Sequence, residues 1–492
     1  MSLGRNVVAS VVTSALTIGG ALVSVPLIID GVGTDGFGIW TIGLSIVLFL
    51  SVAEAGLGSG IMRFVAVAHG RDDRDGIARV AWTALGLYVA GGLVIVALAQ
   101  LLAPPLASAF NVPARLEGDA ETMFRLLGPI VLAALFSGGL ANLQQGLERF
   151  PAYAVATALG VAAQVALLIV LLPGEGLRGV AYAALAQQLV AAGVRLVTVA
   201  DVFTRSRPAL LSRAETLALA GFSARVQMSA IATFANNQSD KLVLGVIAPA
   251  TTVGQLGIGA QAAEAGRVVA ASALNPLVTR MSLLYGHEPE ALPALYRRLH
   301  RLWLLTVMGA TVIALAALQP LIEGWLGDGH DEAALLGGFL VFAYGVNLLT
   351  GIPSVYLRAV GNPGLEARYA TLLVGINVVA SVSLGILAGA YGVVAATALA
   401  YVIGTAWFFS RARGLVPAMQ LREMGSGRVI AASLVLSAAA VFAWGFAANA
   451  LLPSGLALPV VVAGMGAAVV AHLSVTTGVR PTLANARALV GT

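Results

Sequence analysis

Five charged residues lie inside two apolar stretches near the middle of the chain, roughly 217–247 and 255–284. They are Arg225, Asp240, Lys241, Glu264 and Arg267. A charged side chain at the centre of a bilayer costs roughly 2.5–3.5 kcal/mol on insertion scales, so inside an apolar span it normally has a partner or a function. The chemistry open to these groups is recognition of a charged ligand or transfer of an ion.

Polar residues of the first stretch fall on one helical face. They are Arg225, Ser229, Thr233, Asn236 and Asp240, at spacings of four, four, three and four residues. Residues three or four apart lie on the same side of a helix. The planar guanidinium of arginine suits phosphate oxygens, which makes a diphosphate a natural ligand for such a face.

We predict a water-filled central cavity lined by polar rows of this kind. The candidates for substrate binding are Arg225, Asn236, Lys241, Arg267, Arg63, Arg149 and Arg358. Structural alternatives stay open: Glu264 and Arg267 are three residues apart and could neutralise each other. Asparagine and glutamine side chains could join helices, and the arginines at the inner ends of spans could serve to set topology.

Three carboxylates are candidates for coupling transport to an ion gradient: Glu54, Asp240 and Glu264. Glu54 is the sharpest of them, because it lies deep in a glycine-rich apolar span, where loss of hydration raises the pKa of a carboxyl group. The alternatives for Glu54 are a salt bridge with a basic neighbour and a hydrogen bond at a helix end.

The composition establishes the class of protein. Of 492 residues, 59% are hydrophobic and 10% are charged, with a mean hydropathy of +0.91. A soluble domain has about 25% charged residues. The apolar runs reach the ~20 residues that cross a bilayer as a helix and lack the alternation of barrel strands. The sequence therefore predicts an all-α polytopic membrane protein.

About fourteen spans are predicted, and the basic residues between them give their direction. The approximate spans are 7–29, 37–61, 79–103, 122–145, 152–172, 179–200, 217–247, 255–284, 302–320, 334–357, 367–388, 391–410, 428–449 and 457–478. Most of the 28 basic residues fall on one side, which predicts that both termini are cytoplasmic. Pro104–Pro105 and Pro320 are expected to end the third and ninth spans.

A faint internal repeat divides the chain. Phe37–Trp40 and Val253–Leu256 open the second and eighth spans 216 residues apart, and Tyr153 and Tyr369 open the fifth and eleventh at the same offset. Six spans per half makes the halves parallel repeats, typical of transporters that bind substrate near the midplane. We predict an N-terminal lobe over 1–204, a C-terminal lobe over 205–425, and two additional spans and a cytoplasmic tail over 426–492.

Several functions are disfavoured. The chain has no phosphate-cradling glycine loop followed by Lys-Ser/Thr, its five histidines show no metal-ligand spacing, and it has no cysteine. We expect no enzyme activity, no metal and no cofactor. The net charge of +5 is better explained by cytoplasmic retention of basic residues than by binding to nucleic acid.

Several short segments of the chain form a recognisable set. In the first half they are Val25–Asp30, Asp35–Trp40, Ala53–Gly58 and Arg63, and in the second half they are Ser239–Gly245 and Val253–Gly254. Together they resemble the polysaccharide flippases of bacteria, the O-antigen/polysaccharide exporter branch of the multidrug/oligosaccharidyl-lipid/polysaccharide superfamily. Glu54 stands where members of that family often have Asp, so the carboxylate is kept.

The resemblance implies a V-shaped, two-lobed bundle in the cytoplasmic membrane of a bacterium. Its substrate would be an undecaprenyl-diphosphate-linked oligosaccharide, flipped from the inner to the outer leaflet by alternating access. Proton or sodium coupling and contact with membrane lipids and with polysaccharide polymerase or export machinery are further expectations. The alternatives are an exporter of the multidrug and toxin extrusion type, a flippase for the peptidoglycan precursor, and a membrane-embedded glycan ligase or polymerase.

Overall fold

The computed structural model describes residues 3–110, 112–204, 209–217, 238–272, 288–362, 364–416, 427–451 and 457–477, with single positions between 219 and 285. Every regular element within these ranges is a helix. The chain divides into two compact units, Met1–Gly254 and Gln255–Thr492. This division by packing does not test the predicted lobe boundaries at 204 and 425, which stay predictions.

The first unit is built from long helices. They are α1 (Leu3–Gly70), α2 (Arg74–Ala109), α3 (Glu117–Gly146), α4 (Phe150–Thr198) and the short α5 (Ala200–Thr204). Two of them, α1 and α4, are each two helices joined at a kink, at Gly33 and at Gly176 respectively. A short 3₁₀ turn, Ala114–Leu116, precedes α3.

The second unit continues the helical pattern. Its helices are α6 (Ala250–Ser272), α7 (Leu292–Leu326), α8 (Asp331–Leu348), α9 (Gly351–Ala359), α10 (Gly364–Ala412), α11 (Gly427–Leu451) and α12 (Ala457–Thr477). A 3₁₀ turn, Pro289–Ala291, leads into α7. Most of α6 lies in this unit, although its first residues belong to the preceding one.

The prediction of an all-α polytopic membrane protein is confirmed. Eight segments of the described chain are long and apolar enough to cross a membrane: Gly19–Ser51, Arg74–Ala109, Ala114–Gly146, Phe150–Thr198, Pro289–Leu326, Asp331–Ala359, Gly364–Ala412 and Pro459–Thr476. The kinks have a glycine between predicted spans, at Gly33, Gly176 and Gly389, so each kinked helix supplies two spans. The predicted span 217–247 and the end of 255–284 lie mainly outside the described residues.

The repeat suspected from the sequence has a structural counterpart in α4 and α10. Both helices are 49 residues long, and they begin 214 residues apart, at Phe150 and Gly364. Each turns back at a glycine in the left-handed region, Gly176 (φ 52°, ψ −125°) and Gly389 (φ 56°, ψ −138°). A side chain is strained in this conformation, so glycine permits the same tight reversal at both places.

The glycines of the repeated motif lie against each other. A Cβ on Gly38 would collide with the backbone of Ala250 and come within 2.9 Å of the nitrogen of Gly254. A Cβ on Gly254 would come within 3.2 Å of the nitrogen of Gly38. Gly38 and Gly254 are therefore positions at which the neighbouring backbone leaves no room for a side chain.

The expectation that prolines end two spans is wrong. The helix α2 runs through Pro104–Pro105 to Ala109, and α7 runs through Pro320 to Leu326. A proline removes one backbone hydrogen bond and its ring crowds the carbonyl four residues earlier, but the residues after it can still form helical hydrogen bonds. After the two prolines of α2 the ladder resumes, with the N–H of Phe110 bonded to the carbonyl of Leu106.

Candidate functional site

The candidate site is built around a pair of oppositely charged residues on α6. The guanidinium of Arg267 donates two hydrogen bonds to the carboxylate of Glu264, from Nε to Oε2 at 2.7 Å and from Nη2 to Oε1 at 2.5 Å. The two residues are three positions apart, so the helix places them on one face. This arrangement agrees with the structural alternative, in which Glu264 and Arg267 neutralise each other. The two parallel hydrogen bonds also fix the position of the guanidinium group, so that it can meet a ligand.

Aromatic residues on neighbouring helices hold this pair. The guanidinium carbon of Arg267 lies 5.2 Å from the ring centroid of Tyr344 on α8. The ring of Tyr344 meets Tyr401 of α10 edge to face, with centroids 6.1 Å apart. The side chains of Arg267 and Glu264 keep 22% and 40% of their exposure, so the ion pair is held but can be reached.

One turn further along α8, a neutral network ties the same helices together. Asn347 donates from Nδ2 to the hydroxyl oxygen of Tyr369 at 2.9 Å. The Tyr369 hydroxyl lies 3.1 Å from Oγ1 of Thr405. Because Tyr369 and Thr405 come from opposite halves of α10, this network fixes the α10 hairpin against α8 and thereby positions the aromatic wall of the site.

A glycine crossing sets the register between α6 and α8. A Cβ on Gly259 would lie 2.8 Å from the Cα of Gly337, and a Cβ on Gly337 would lie 2.8 Å from the Cα of Gly259. The contact between Arg267 and Tyr344 comes eight residues after Gly259 and seven after Gly337, about two turns along each helix. Small residues at this crossing therefore let the pair reach the tyrosine.

The first unit contains a second polar centre, around Arg195 of α4. Its side chain is buried, with 8% exposure, and donates to the carbonyl of Ser137 at 3.2 Å, to the Ser137 hydroxyl, and to Oγ1 of Thr157 at 3.1 Å. Its guanidinium also lies 5.5 Å from the centroid of Tyr153. In the sequence, Arg195 is only one of the basic residues that indicate the direction of the spans. In the structure, its hydrogen bonds connect α3 with both halves of α4.

Arg149 has its own carboxylate. Its guanidinium donates to both oxygens of Asp201 at 2.7 Å and to the carbonyl of Thr198 at 2.6 Å. These bonds to Asp201 raise the pKa of Arg149, against the opposing effect of partial burial, so the group stays a cation. Gln144, near the end of α3, donates to Oγ1 of Thr198 at 2.7 Å and so holds the end of α4 against α3.

The remaining predicted residues fall at separate places. Arg358 is paired with Glu366 through two hydrogen bonds, one of 2.7 Å, at the start of α10. Lys241 donates to Gln238 at 3.4 Å, while Asp240 is buried and Arg63 is exposed. Arg225, Asn236 and the side chain of Glu54 lie outside the described part of the chain.

Among the described residues, the predicted arginines Arg149, Arg267 and Arg358 thus lie in separate ion pairs rather than in one cluster of cations. Sequence reasoning found Arg267 and Glu264 but missed Tyr344, Tyr369 and Asp201, which position or neutralise the predicted arginines. The spacing of Tyr344 and Asn347 on one face of a predicted span was the available signal. Among the described residues, three or more His, Cys, Asp or Glu side chains do not come together as a metal site.

One histidine outside the spans has a shifted pKa. His330, in the turn between α7 and α8, is buried, and burial lowers its pKa although the nearby Asp331 acts in the opposite direction. Its Nδ1 lies 3.4 Å from Oε1 of Gln255 on α6. The ring is therefore neutral near neutral pH, and it helps to hold the start of α6 against this turn.

Comparison with known proteins gives a family and a fold. The profile of the family described as polysaccharide biosynthesis protein matches residues 3–282, more than half of the chain. A search among the sequences of curated proteins gives no match.

Several solved structures share the fold. The lipid II flippase MurJ in an inward closed conformation superposes with a TM-score of 0.71 at 11% identity, over 95% of this chain and 98% of that one. An inward-facing multidrug resistance MATE family transporter of the MOP superfamily gives 0.65 at 17% identity, over 83% and 98%. A MOP superfamily transporter from Pyrococcus furiosus gives 0.51 at 17% identity, over 83% and 94%. At these identities the likeness establishes the fold alone.

Proposed function

Because the chain belongs to the polysaccharide biosynthesis protein family, we propose that it is a flippase for a polyprenyl-diphosphate-linked oligosaccharide. It moves this lipid from the inner to the outer leaflet of a bacterial cytoplasmic membrane by alternating access, with both termini in the cytoplasm. Family membership is the observation that carries the proposal. A fold shared with a lipid II flippase over 95% of the chain supports it.

The physical problem that such a substrate poses matches what the spans contain. A diphosphate with sugars attached cannot cross hydrocarbon unaided, whereas its polyprenyl tail can stay in lipid. The protein must therefore offer cations and hydrogen-bonding groups inside apolar helices. Arg267 offers such a cation within the described spans, because Glu264 and Tyr344 hold it in place while its side chain keeps 22% of its exposure.

The other substrate-binding candidates keep their proposed roles. Arg225, Asn236 and Lys241 line the translocation path in the second half of the chain. Arg63, Arg149 and Arg358 attract the diphosphate at the cytoplasmic ends of the spans, although Arg149 and Arg358 are engaged with Asp201 and Glu366. A ligand would compete with these two carboxylates for the guanidinium groups.

Coupling to a proton or sodium gradient is the second part of the proposal. Glu54, Asp240 and Glu264 are the candidate carboxylates. Of these, Glu264 is bonded to the cation proposed to bind substrate, so its protonation or its binding of sodium would free Arg267. The chain acts without a cofactor and as a transporter rather than an enzyme, and it works beside the polymerase or export machinery that consumes the flipped lipid.

Two alternative substrates share the fold. A multidrug exporter that takes cationic drugs would be expected to carry unpaired carboxylates, whereas Glu264 on α6 is neutralised by Arg267. A flippase for the peptidoglycan precursor would recognise the same lipid diphosphate with a different sugar and peptide. The depletion experiment below separates all three.

Depleting the protein in its own host is expected to trap lipid-linked oligosaccharide in the inner leaflet. The leaflet is read in spheroplasts with a membrane-impermeant glycan-modifying reagent, and total lipid-linked oligosaccharide is measured after lysis. We expect the accessible fraction to fall while the total rises, with peptidoglycan synthesis unchanged.

The same strain supplies the controls. Restoring the wild-type gene must restore accessibility. If the oligosaccharide still reaches the outer leaflet at the normal rate, the proposal is wrong. If peptidoglycan synthesis stops instead, the substrate is the peptidoglycan precursor, and if only drug resistance falls, the chain is a multidrug exporter.

A further inference from the structure

A groove lies at the end of the α10 hairpin, away from Arg267. It has a volume of about 530 Å³, and its lining includes Asn362, Leu365, Arg368, Trp407, Arg411 and Leu415. The reversal at Gly389 brings the two ends of α10 side by side, and Tyr369 packs on Phe408 with ring centroids 5.3 Å apart. Residues that are 43 positions apart in sequence, Arg368 and Arg411, therefore line one groove.

The two arginines of the groove are exposed, and neither guanidinium group forms a hydrogen bond or an ion pair with a described residue. Two of the arginines proposed to bind substrate differ from them. Arg358, which precedes the groove in sequence, is engaged by Glu366, and Arg267 by Glu264. Two guanidinium groups with free forks on one concave surface match the oxygens of a phosphate group.

An exposed apolar stripe continues from the charged groove along α10. Counting back from Arg411 in steps of four, the same helical face carries Trp407, Ile403 and Leu399, of which Ile403 and Leu399 are 43% and 45% exposed. On the first half of α10, Val379 lies eleven residues beyond Arg368, which is three helical turns, and is 68% exposed. A tryptophan that lies between charged side chains and an apolar helix face is typical of the membrane–water interface.

We propose that this groove binds an anionic phospholipid of the surrounding bilayer. Arg368 and Arg411 contact the headgroup phosphate, Trp407 lies at the interface, and the acyl chains follow the stripe of Ile403 and Leu399. Basic pockets beside membrane helices are known to select anionic headgroups. The groove is lined by α10 and the residues flanking it alone, so the bound lipid stabilises the hairpin that also carries Tyr369, Tyr401 and Thr405.

The test uses the purified full chain in a zwitterionic detergent. Bound lipid is counted by native mass spectrometry after titration with phosphatidylglycerol or phosphatidylcholine. We expect one tightly bound phosphatidylglycerol molecule per chain. Its affinity should exceed that of phosphatidylcholine by about 30-fold, because each of the two arginines contributes a factor of roughly five toward an anionic headgroup. The double variant Arg368→Gln/Arg411→Gln should lose most of this preference.

A matched control removes two charges elsewhere. Arg297 and Arg298 on α7 are also exposed, and they do not line the groove. The variant Arg297→Gln/Arg298→Gln should keep the preference of the wild type. Equal loss in both double variants, or no loss in the groove variant, overturns the proposal.

Two measurements on folded protein keep the test decisive if the double variant misfolds. Phosphatidylglycerol with brominated acyl chains should quench part of the tryptophan fluorescence of the wild type, and this quenched part should be missing in Trp407→Phe. Equal quenching in the two proteins overturns the proposal. If equimolar undecaprenyl diphosphate displaces the phosphatidylglycerol completely, the groove belongs to the transported lipid and the proposal is wrong. Neither result depends on whether the chain flips an oligosaccharide.

Discussion

Replacing Arg267 by alanine is expected to lower the rate of oligosaccharide flipping by at least about tenfold while the protein still inserts into the membrane. A hydrogen bond to a charged group contributes about 1.5–3 kcal/mol, and 1.4 kcal/mol is a factor of ten. Alanine removes the cation proposed to meet the diphosphate and leaves the carboxylate of Glu264 without its two hydrogen bonds. Flipping is measured in vesicles, and insertion by the yield of monodisperse protein.

Two companion variants separate function from folding. Arg125→Ala removes a similar charge from an exposed pair, in which Arg125 and Glu121 lie 2.5 Å apart on α3, and it should leave flipping unchanged. Arg267→Lys keeps the charge but loses the forked geometry, and we expect an intermediate rate. Full activity of Arg267→Ala would reduce the Arg267–Glu264 pair to a structural contact.

Replacing Gly259 by leucine is expected to destabilise the second unit by about 3 kcal/mol and to abolish flipping, since overpacking alone costs about 1–3 kcal/mol. A Cβ at this position would lie 2.4 Å from the carbonyl oxygen of Ala333 and 2.8 Å from the nitrogen of Gly337. Both are backbone atoms, so neither can move aside as a flexible side chain could. The helices α6 and α8 must separate, which draws Arg267 away from Tyr344. Thermal unfolding in detergent and the vesicle assay measure the two effects.

The same helix offers a control for this substitution. A Cβ on Gly266 would meet nothing within 4 Å, so Gly266→Ala should unfold at the wild-type temperature or slightly above it, because alanine favours helix. If Gly259→Leu retains both wild-type stability and flipping, close approach of α6 and α8 does not position the site.

Much of the fold follows from the sequence because span length and hydropathy are local properties. The break between the spans 152–172 and 179–200 lies at Gly176, and that between 367–388 and 391–410 lies at Gly389. The prediction that prolines end two spans was wrong because the loss of one backbone N–H does not by itself end a helix. At Pro104–Pro105 the α-helix continues for four more residues.

The site was less predictable, because partners in a membrane helix are chosen by packing. Arg267 and Glu264 could be paired from their spacing, but Tyr344 joins them from a helix 77 residues away in sequence. Arg195 finds Ser137 and Thr157, at separations of 58 and 38 residues. No local pattern encodes such contacts, so the sequence located the charges but could not tell which were free to meet a ligand.

The most direct test of the central claim is a flipping assay in vesicles that contain only the purified chain. A labelled polyprenyl-diphosphate-linked oligosaccharide is placed in both leaflets, and a membrane-impermeant reagent reports its movement to the outer one, with and without a proton or sodium gradient. We predict protein-dependent flipping that the gradient accelerates and that Arg267→Ala vesicles lose. Equal rates in protein-free, wild-type and Arg267→Ala vesicles would contradict the account.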